Sequence, residues 1–362
     1  MNIRRISTFL LTGVLLIGML TALTGCGDNN AGEKTGERTV VDQRGKTVVV
    51  PEADQIKKIV TLPIPMPSII YAVDGSGERI VGMHPKSQTA AADSMLAELA
   101  PELLEDSTAF VQEGFTVNIE ELLKLDPDVV FQWNHQPDEI KKMEEAGLTV
   151  IGIDYGSQEN LEGWIKLVGD LLGKEDRAEE LVTAQHKTLD YINTKLADLP
   201  EEQRIRVFYL AGENLTTCGK GTYNQFWMES TGAKNVAQET SGWGKAVNME
   251  QILAWNPEII YIGNFCDLQP KDILENKIAG QDWSQVEAVK KGQVYKIPLA
   301  GYRWDPPCVE SPMMFKWLAQ IQHPDIFNEY SMKDELKAFY AEIYDYELSD
   351  EKAVEILNLK QE

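Results

Sequence analysis

Positive charge is scarce in this chain of 362 residues: 34 Lys and Arg face 57 Asp and Glu, and the formal net charge is -23. Nucleic-acid phosphates are held by clustered Lys and Arg, and no long basic run occurs, which excludes nucleic acid as a partner. Cysteine is sparse as well, at four residues, so the chain is not a disulfide scaffold. Catalytic signatures are missing: there is no Gly-x-Ser-x-Gly, no HExxH and no Walker A loop. Beyond the first 25 residues no apolar segment is long enough to cross a bilayer. What remains is ordinary globular composition, 43% hydrophobic and 25% charged. At this length it predicts two folding units with a sizeable core.

The opening is of another kind. Arg4 and Arg5 are the only charges before Asp28, and an apolar stretch from Phe9 to Leu23 follows them. That stretch is shorter than the roughly 20 residues of a membrane span and suits a secretory signal. It ends in Leu23-Thr24-Gly25-Cys26, which resembles a bacterial lipobox. Residues 1–25 therefore read as a leader removed before Cys26, whose thiol is acylated. The mature chain would be two charges more negative, exported, and tethered to the cell membrane by lipid. Residues 26–38 lack large apolar side chains and read as the lipidated flexible tether.

Two stretches match each other: NIEELLKLDPDVVFQW (118–133) and NMEQILAWNPEIIYIG (248–263). Each reads as a short helix with an acid in its first turn, a Pro turn that stops it, and a fully buried strand. A match of this length predicts duplication of one α/β unit. Further strands are expected at 58–62, 80–83, 149–154, 206–210 and 294–298, with helices at 68–73 and 137–147. Strands alternating with helices call for parallel sheets covered on both faces. Two β-branched runs around Arg44-Gly45, within 38–51, predict a hairpin. The longest helical pattern, from about Asn160 to Leu199 with a break near Gly173, reads as a rigid connector (161–199) between an N-terminal lobe (39–160) and a C-terminal lobe (200–362).

The lipobox, the opening TVVDQRGKTVVVPEADQIKKIVTL, the duplicated unit and the segment NQFWMESTGAKNVA (224–237) together resemble class III substrate-binding proteins of ABC importers. AVKKGQVYKIP (288–298) and ESPMMFKWLAQIQHPDIF (310–327) extend the resemblance to nearly all of the mature chain. It implies an α/β fold of two Rossmann-like lobes with parallel sheets, joined by a single long helix, with the ligand in the cleft between them. It also implies a monomer without intrinsic cofactor and without enzymatic activity. Such a protein captures a small-molecule metal chelate (iron–siderophore, corrinoid or haem) and delivers it to a permease dimer with its ATPase. One branch of the family takes molybdate or tungstate, which stands as the alternative ligand class. A metal-chelatase-like enzyme is a remote alternative that rests on fold analogy alone.

Open parallel sheets bind ligands beyond the carboxyl ends of their strands. In the first lobe those positions hold Pro63–Pro67, His84 and Lys86, Trp133 to His135, and Tyr155; in the second they hold Cys218, Lys220, Tyr223, Trp243, Lys245, Cys266 and Tyr302-Arg303-Trp304. Aromatic planes suit the flat parts of a chelate, and cations suit its anionic groups. The expected ligand contacts are therefore His84, Lys86, Trp133, Tyr223, Trp243, Tyr302, Arg303 and Trp304, with Trp133 and Trp243 serving either the cleft or the lobe cores. His84, Cys218, Cys266 and Cys308 are the candidate metal donors. For the three cysteines, burial or a disulfide between two of them is the competing reading. The resemblance further implies one acidic residue on each lobe that docks onto permease arginines; by position in the repeat these are Glu120 and Glu250.

Overall fold

The computed structural model describes residues 36–359. The leader, the lipobox at Cys26 and the tether up to Thr35 lie outside the described residues. The chain opens with strands β1 (Glu37–Val41) and β2 (Thr47–Pro51), an antiparallel hairpin turned at Gly45, whose φ of 73° favours glycine. Asp42, almost wholly buried, pins the hairpin to the first lobe by accepting from the Arg44 guanidinium at 2.6 Å and from the Gly152 N–H at 3.0 Å.

The first lobe continues through β3 (Ile59–Thr61), α1 (Met66–Asp74), β4 (Ile80–Met83), α2 (Pro85–Ala92), α3 (Leu96–Leu99), α4 (Ile119–Lys124), β5 (Val129–Trp133), α5 (Pro137–Glu145) and β6 (Val150–Ile153). Two helices follow, α6 (Gln158–Leu172) and α7 (Glu175–Lys195). The second lobe holds β7 (Ile205–Leu210), the short β8 (Thr216–Thr217), α8 (Tyr223–Ser230), β9 (Ala233–Asn235), the short β10 (Lys245–Ala246), α9 (Met249–Trp255), β11 (Ile259–Ile262), α10 (Pro270–Leu274), α11 (Glu287–Lys290) and β12 (Val294–Lys296). The chain ends in α12 (Ser311–Gln322), α13 (Met332–Tyr344) and α14 (Asp350–Ile356).

Each lobe has one four-stranded parallel sheet, in the orders β4-β3-β5-β6 and β9-β7-β11-β12. Numbered within its lobe, each is the order 2-1-3-4, and the sequence repeat supplies the third strand of both. Every residue of β5 and β11 is buried, as central strands covered on two faces require. The repeat is physical down to its caps. Asn118 and Asn248 each cap a helix with their side chains, and Asp126 and Asn256, at φ 49° and 44°, turn the chain out of the helix before a Pro.

The connector is a pair of helices with its break at Gly173, and the longer of the two is the single long helix between the lobes. The break near Gly173 (φ 65°, the C-cap of α6) turns α6 and α7 into an antiparallel hairpin, with Lys166 opposite Glu179 and Glu162 opposite His186. α6 packs on α1 and β1, whereas the 21-residue α7 runs along α12. At 1.5 Å per residue α7 is roughly 32 Å long, enough to reach across both lobes. Buried Gln185 of α7 donates to the Val309 carbonyl at 2.9 Å, and Arg177 bridges the carbonyls of Ala72 and Ile343. The last helices also return to the first lobe: the Tyr346 hydroxyl and the Lys352 ammonium both meet Glu98.

The helix hairpin depends on one close approach. A Cβ on Gly169 would sit 2.4 Å from the Cβ of Ala178. Gly169→Ala should therefore destabilise the fold by about 1–3 kcal/mol through overpacking, although alanine is the better helix former by about 1 kcal/mol. Urea unfolding checks the sign; a raised midpoint would mean that the helices can separate without cost.

Candidate functional site

The carboxyl ends of the two sheets face a cavity of about 380 Å³ between the lobes. From the first lobe, Ile64 and Pro65 follow β3, Trp133 and His135 end β5, Tyr155 follows β6, and Phe115 comes from the loop before α4. From the second, Trp243 lies in the loop before β10, Phe265 follows β11, and Tyr302 and Pro306 belong to the long loop between β12 and α12. The walls are almost entirely carbon.

The rings are arranged in contact. On the first lobe Trp133 packs against Tyr155 (ring centroids 5.5 Å), Trp164 (5.7 Å) and His135 (5.9 Å, nearly parallel at 21°). Trp164, fully buried on α6, anchors this group by donating its indole N–H to the Asp154 carbonyl at 2.9 Å. Across the cleft, Trp243 meets Phe265 edge-on at 5.5 Å, and the Arg303 guanidinium lies 5.2 Å from the Phe265 ring centre. Trp243, Phe265 and Tyr155 remain 48%, 42% and 43% exposed. Large aromatics left open to water at a cleft mark a binding surface.

Two buried carboxylates hold the second-lobe wall. Glu310 accepts from the Gly301 N–H at 3.0 Å and from the Trp304 indole at 2.8 Å, and burial raises its pKa. Asp305, fully buried, accepts from the Tyr209 hydroxyl at 2.7 Å and from the Asn264 N–H at 3.1 Å. Between them they clamp both ends of the turn that presents Tyr302 and Arg303. A Cβ on Gly263 would lie 2.3 Å from the Tyr209 hydroxyl, so the Asp305 clamp needs glycine there. The lobes meet beside this loop, where the Met95 N–H donates to the Ala300 carbonyl at 2.7 Å.

The structure brings together four of the expected contacts: Trp133, Trp243 and Tyr302 line the cavity, and Arg303 stands at its rim on Phe265. It places the other four elsewhere. His84 is buried as the N-cap of α2, with Nδ1 accepting from the Lys86 N–H and Nε2 against the Gly114 carbonyl, and it reaches the site only through its ring contact with Phe115. Lys86 is exposed on α2, outside the lining. Tyr223 is buried, its hydroxyl joining Ser311 of α12 to Gln158 of α6, and Trp304 turns inward to Glu310.

The candidate metal donors do not converge. Among the described residues no three His, Cys, Asp or Glu side chains form a group able to hold an ion. Cys218, Cys266 and Cys308 are free, so the disulfide reading does not hold. Burial pushes the Cys218 thiol up to about 12 and raises Cys266 and Cys308 as well. A thiol ligates as thiolate, and these stay protonated at neutral pH. Glu120 and Glu250 are exposed in the first turns of α4 and α9, and neither carboxylate has an ion-pair partner among the described residues.

Two α/β lobes around an aromatic cleft are the architecture of a two-lobed small-molecule binding protein. The profile of the family described as "Periplasmic binding protein" matches residues 67–299, and the chain belongs to that family. It is a class III-type substrate-binding protein of an ABC importer, extracytoplasmic, and a transport component rather than an enzyme. Its fold is similar to that of a periplasmic solute binding protein from Veillonella parvula, at 41% identity and a TM-score of 0.84 over 89% of this chain and 97% of that one. The molybdate-binding protein MolA of Haemophilus influenzae is 28% identical over 85% of this chain and 91% of its own length. The structure of MolA bound to molybdate has 26% identity and a TM-score of 0.75, covering 86% and 99%. An iron-uptake system-binding protein of Bacillus subtilis is 24% identical over 79% of this chain and 89% of that one.

Burial and the neighbouring Lys86 charge hold the His84 imidazole below its ordinary value of 6.5. The unfolded chain therefore takes up a proton, as pH falls through about 6.5, before folded His84 does. Stability should decline from pH 6.5 down to the lower folded value, and His84→Gln should flatten part of that decline in thermal melts. His323, held low in the same way, acts in the same window. An unchanged pH profile in the variant would contradict the placement of His84.

Proposed function

We propose that this binding protein captures an organic metal chelate, with Trp133, Trp243 and Tyr302 packing on its flat apolar parts and Arg303 pairing with its anionic groups. The observation that carries this is the cavity itself: about 380 Å³ of nearly pure carbon wall, with one guanidinium at the rim. A bare tetrahedral oxyanion is held by convergent N–H groups and cations in a small dry pocket, which these walls do not offer. Lys296, at the end of β12, is spent on the carbonyls of Gly263 and Cys266. The likeness to a molybdate-binding protein supports molybdate as the second reading.

In the same proposal Cys26 carries the lipid anchor, the protein acts as a monomer, and Glu120 and Glu250 dock the two lobes onto basic residues of the permease. Equivalent placement at the start of α4 and α9, both carboxylates without an ion-pair partner among the described residues, supports the docking role. Replacing both with Arg should abolish uptake in cells while ligand affinity stays unchanged; retained uptake would remove these residues from the interface.

The ligand is tested by tryptophan fluorescence on the soluble chain from Asp28 onward, titrated with ferric siderophores, haem, corrinoids, molybdate and tungstate. Saturable quenching by one chelate is expected, weakened about tenfold in Arg303→Ala, which corresponds to ~1.4 kcal/mol. Tight binding of molybdate without response to any chelate would replace the proposed ligand with the oxyanion.

A further inference from the structure

Nine large apolar side chains are exposed among the described residues, and three of them, Tyr155, Trp243 and Phe265, line the cleft. Of the other six, Leu123 and Leu253 hold the same position in the two copies of the sequence repeat, each one turn into the helix capped by Asn118 or Asn248. They are 44% and 38% exposed. The residue before each, Leu122 and Ile252, is fully buried in the core of its lobe. The duplicated helix thus turns one apolar side chain inward and leaves the next in water, in both lobes. A single exposed leucine is ordinary and calls for no explanation. The same leucine exposed twice, at equivalent places, does.

Residues three apart on a helix are neighbours on one face, so Leu123 stands beside Glu120 and Leu253 beside Glu250. Glu121 is taken by Lys124 at 2.6 Å, and Gln251 is spent on the cap of α9. Each lobe therefore shows an acid without an ion-pair partner among the described residues and an exposed leucine, in the same order and at the same spacing. We propose that Leu123 and Leu253 are the apolar anchors of the permease interface: each enters an apolar depression on one subunit of the permease dimer, next to the basic residue that receives Glu120 or Glu250. This rests on the docking role of the two glutamates and deepens it. Two like patches on one chain fit a partner with two like surfaces, which a symmetric dimer has. The two halves of each patch act differently. The acids reach over a Debye length, steer the approach and weaken with salt. The leucines act on contact, by leaving water, and salt does not screen them.

Salt separates the two halves. The full chain is co-purified with its tagged permease dimer from detergent extracts at about 0.1 M and about 1 M salt, between which the Debye length falls from about 10 Å to about 3 Å. The variants are Leu123→Ser with Leu253→Ser, Glu120→Gln with Glu250→Gln, and Leu274→Ser, a control at a leucine that is also 38% exposed but lies outside the repeat. Unchanged melting midpoints show that each variant is folded. The leucine pair should bind the permease about tenfold more weakly than wild type at both salt concentrations, the scale for two partly exposed leucines that no longer bury. The glutamate pair should bind more weakly at low salt and match wild type at high salt, and Leu274→Ser should match wild type throughout. A leucine pair that binds as wild type at both concentrations would overturn the apolar anchors and leave docking by the acids standing. Wild-type binding by the leucine pair and the glutamate pair alike would overturn the anchors and the docking role of Glu120 and Glu250 together.

Discussion

Parallel strands impose a direction that the whole molecule obeys. In a parallel sheet every strand ends on the same edge, so the residues that follow successive strands gather in one place whatever their separation in sequence. Here two such sheets, each in the order 2-1-3-4, turn those edges toward each other. Side chains from position 64 to position 306 thereby meet around one cavity. The gathering needs the lobes to stay registered. α7 along α12, the Arg177 bridge and the return of Tyr346 and of Lys352 on α14 to Glu98 supply that registration. A link of this stiffness suits a small hinge better than a wide swing.

The second-lobe wall is a loop, and loops need a reason to hold a shape. Leu299 to Pro307 gets it from two carboxylates taken out of water. A buried carboxylate is costly unless its oxygens are hydrogen-bonded, and leaving one unpaired costs more than the pair contributes. Glu310 meets that requirement through Gly301 and Trp304, and Asp305 through Tyr209 and Asn264. The result is a positioned Tyr302 and Arg303 without any regular secondary structure beneath them. The opposite wall uses packing instead, a ladder of rings from Phe115 through His135 and Trp133 to Trp164. One wall is set by polar clamps and the other by aromatic stacking, so mutations on the two sides act through different physics.

Much of this architecture is legible in the amino-acid sequence. The repeat locates β5 and β11, the β-branched runs mark the other strands of the two sheets except β9, and Gly173 marks the turn between α6 and α7, because each signal is local in sequence. The strand-end rule finds Trp133, Trp243, Tyr302 and Arg303. It also gathers Tyr223 and Trp304, which the structure buries, since the rule says where a residue sits along the chain but not which way its side chain turns. Trp304 is drawn inward by Glu310, six residues on, and nothing in the spacing WDPPCVE announces a buried acid. Phe115 escapes the rule because it belongs to a loop before a helix, not after a strand, whereas Phe265 follows β11 and is passed over for its neighbour Cys266. That both nitrogens of His84 are engaged is visible only in the folded chain.

The account stands on the cargo lying in the aromatic cleft between the lobes. Anomalous diffraction at the iron edge, from crystals of the soluble chain grown with the chelate that binds best, tests this directly. The account predicts one strong peak between the Trp133–His135 wall and the Tyr302–Arg303 loop. A peak instead in the polar cavity bordered by Asp93, Glu98, Lys296 and Lys352 would contradict it, because the aromatic walls would then have no ligand to hold.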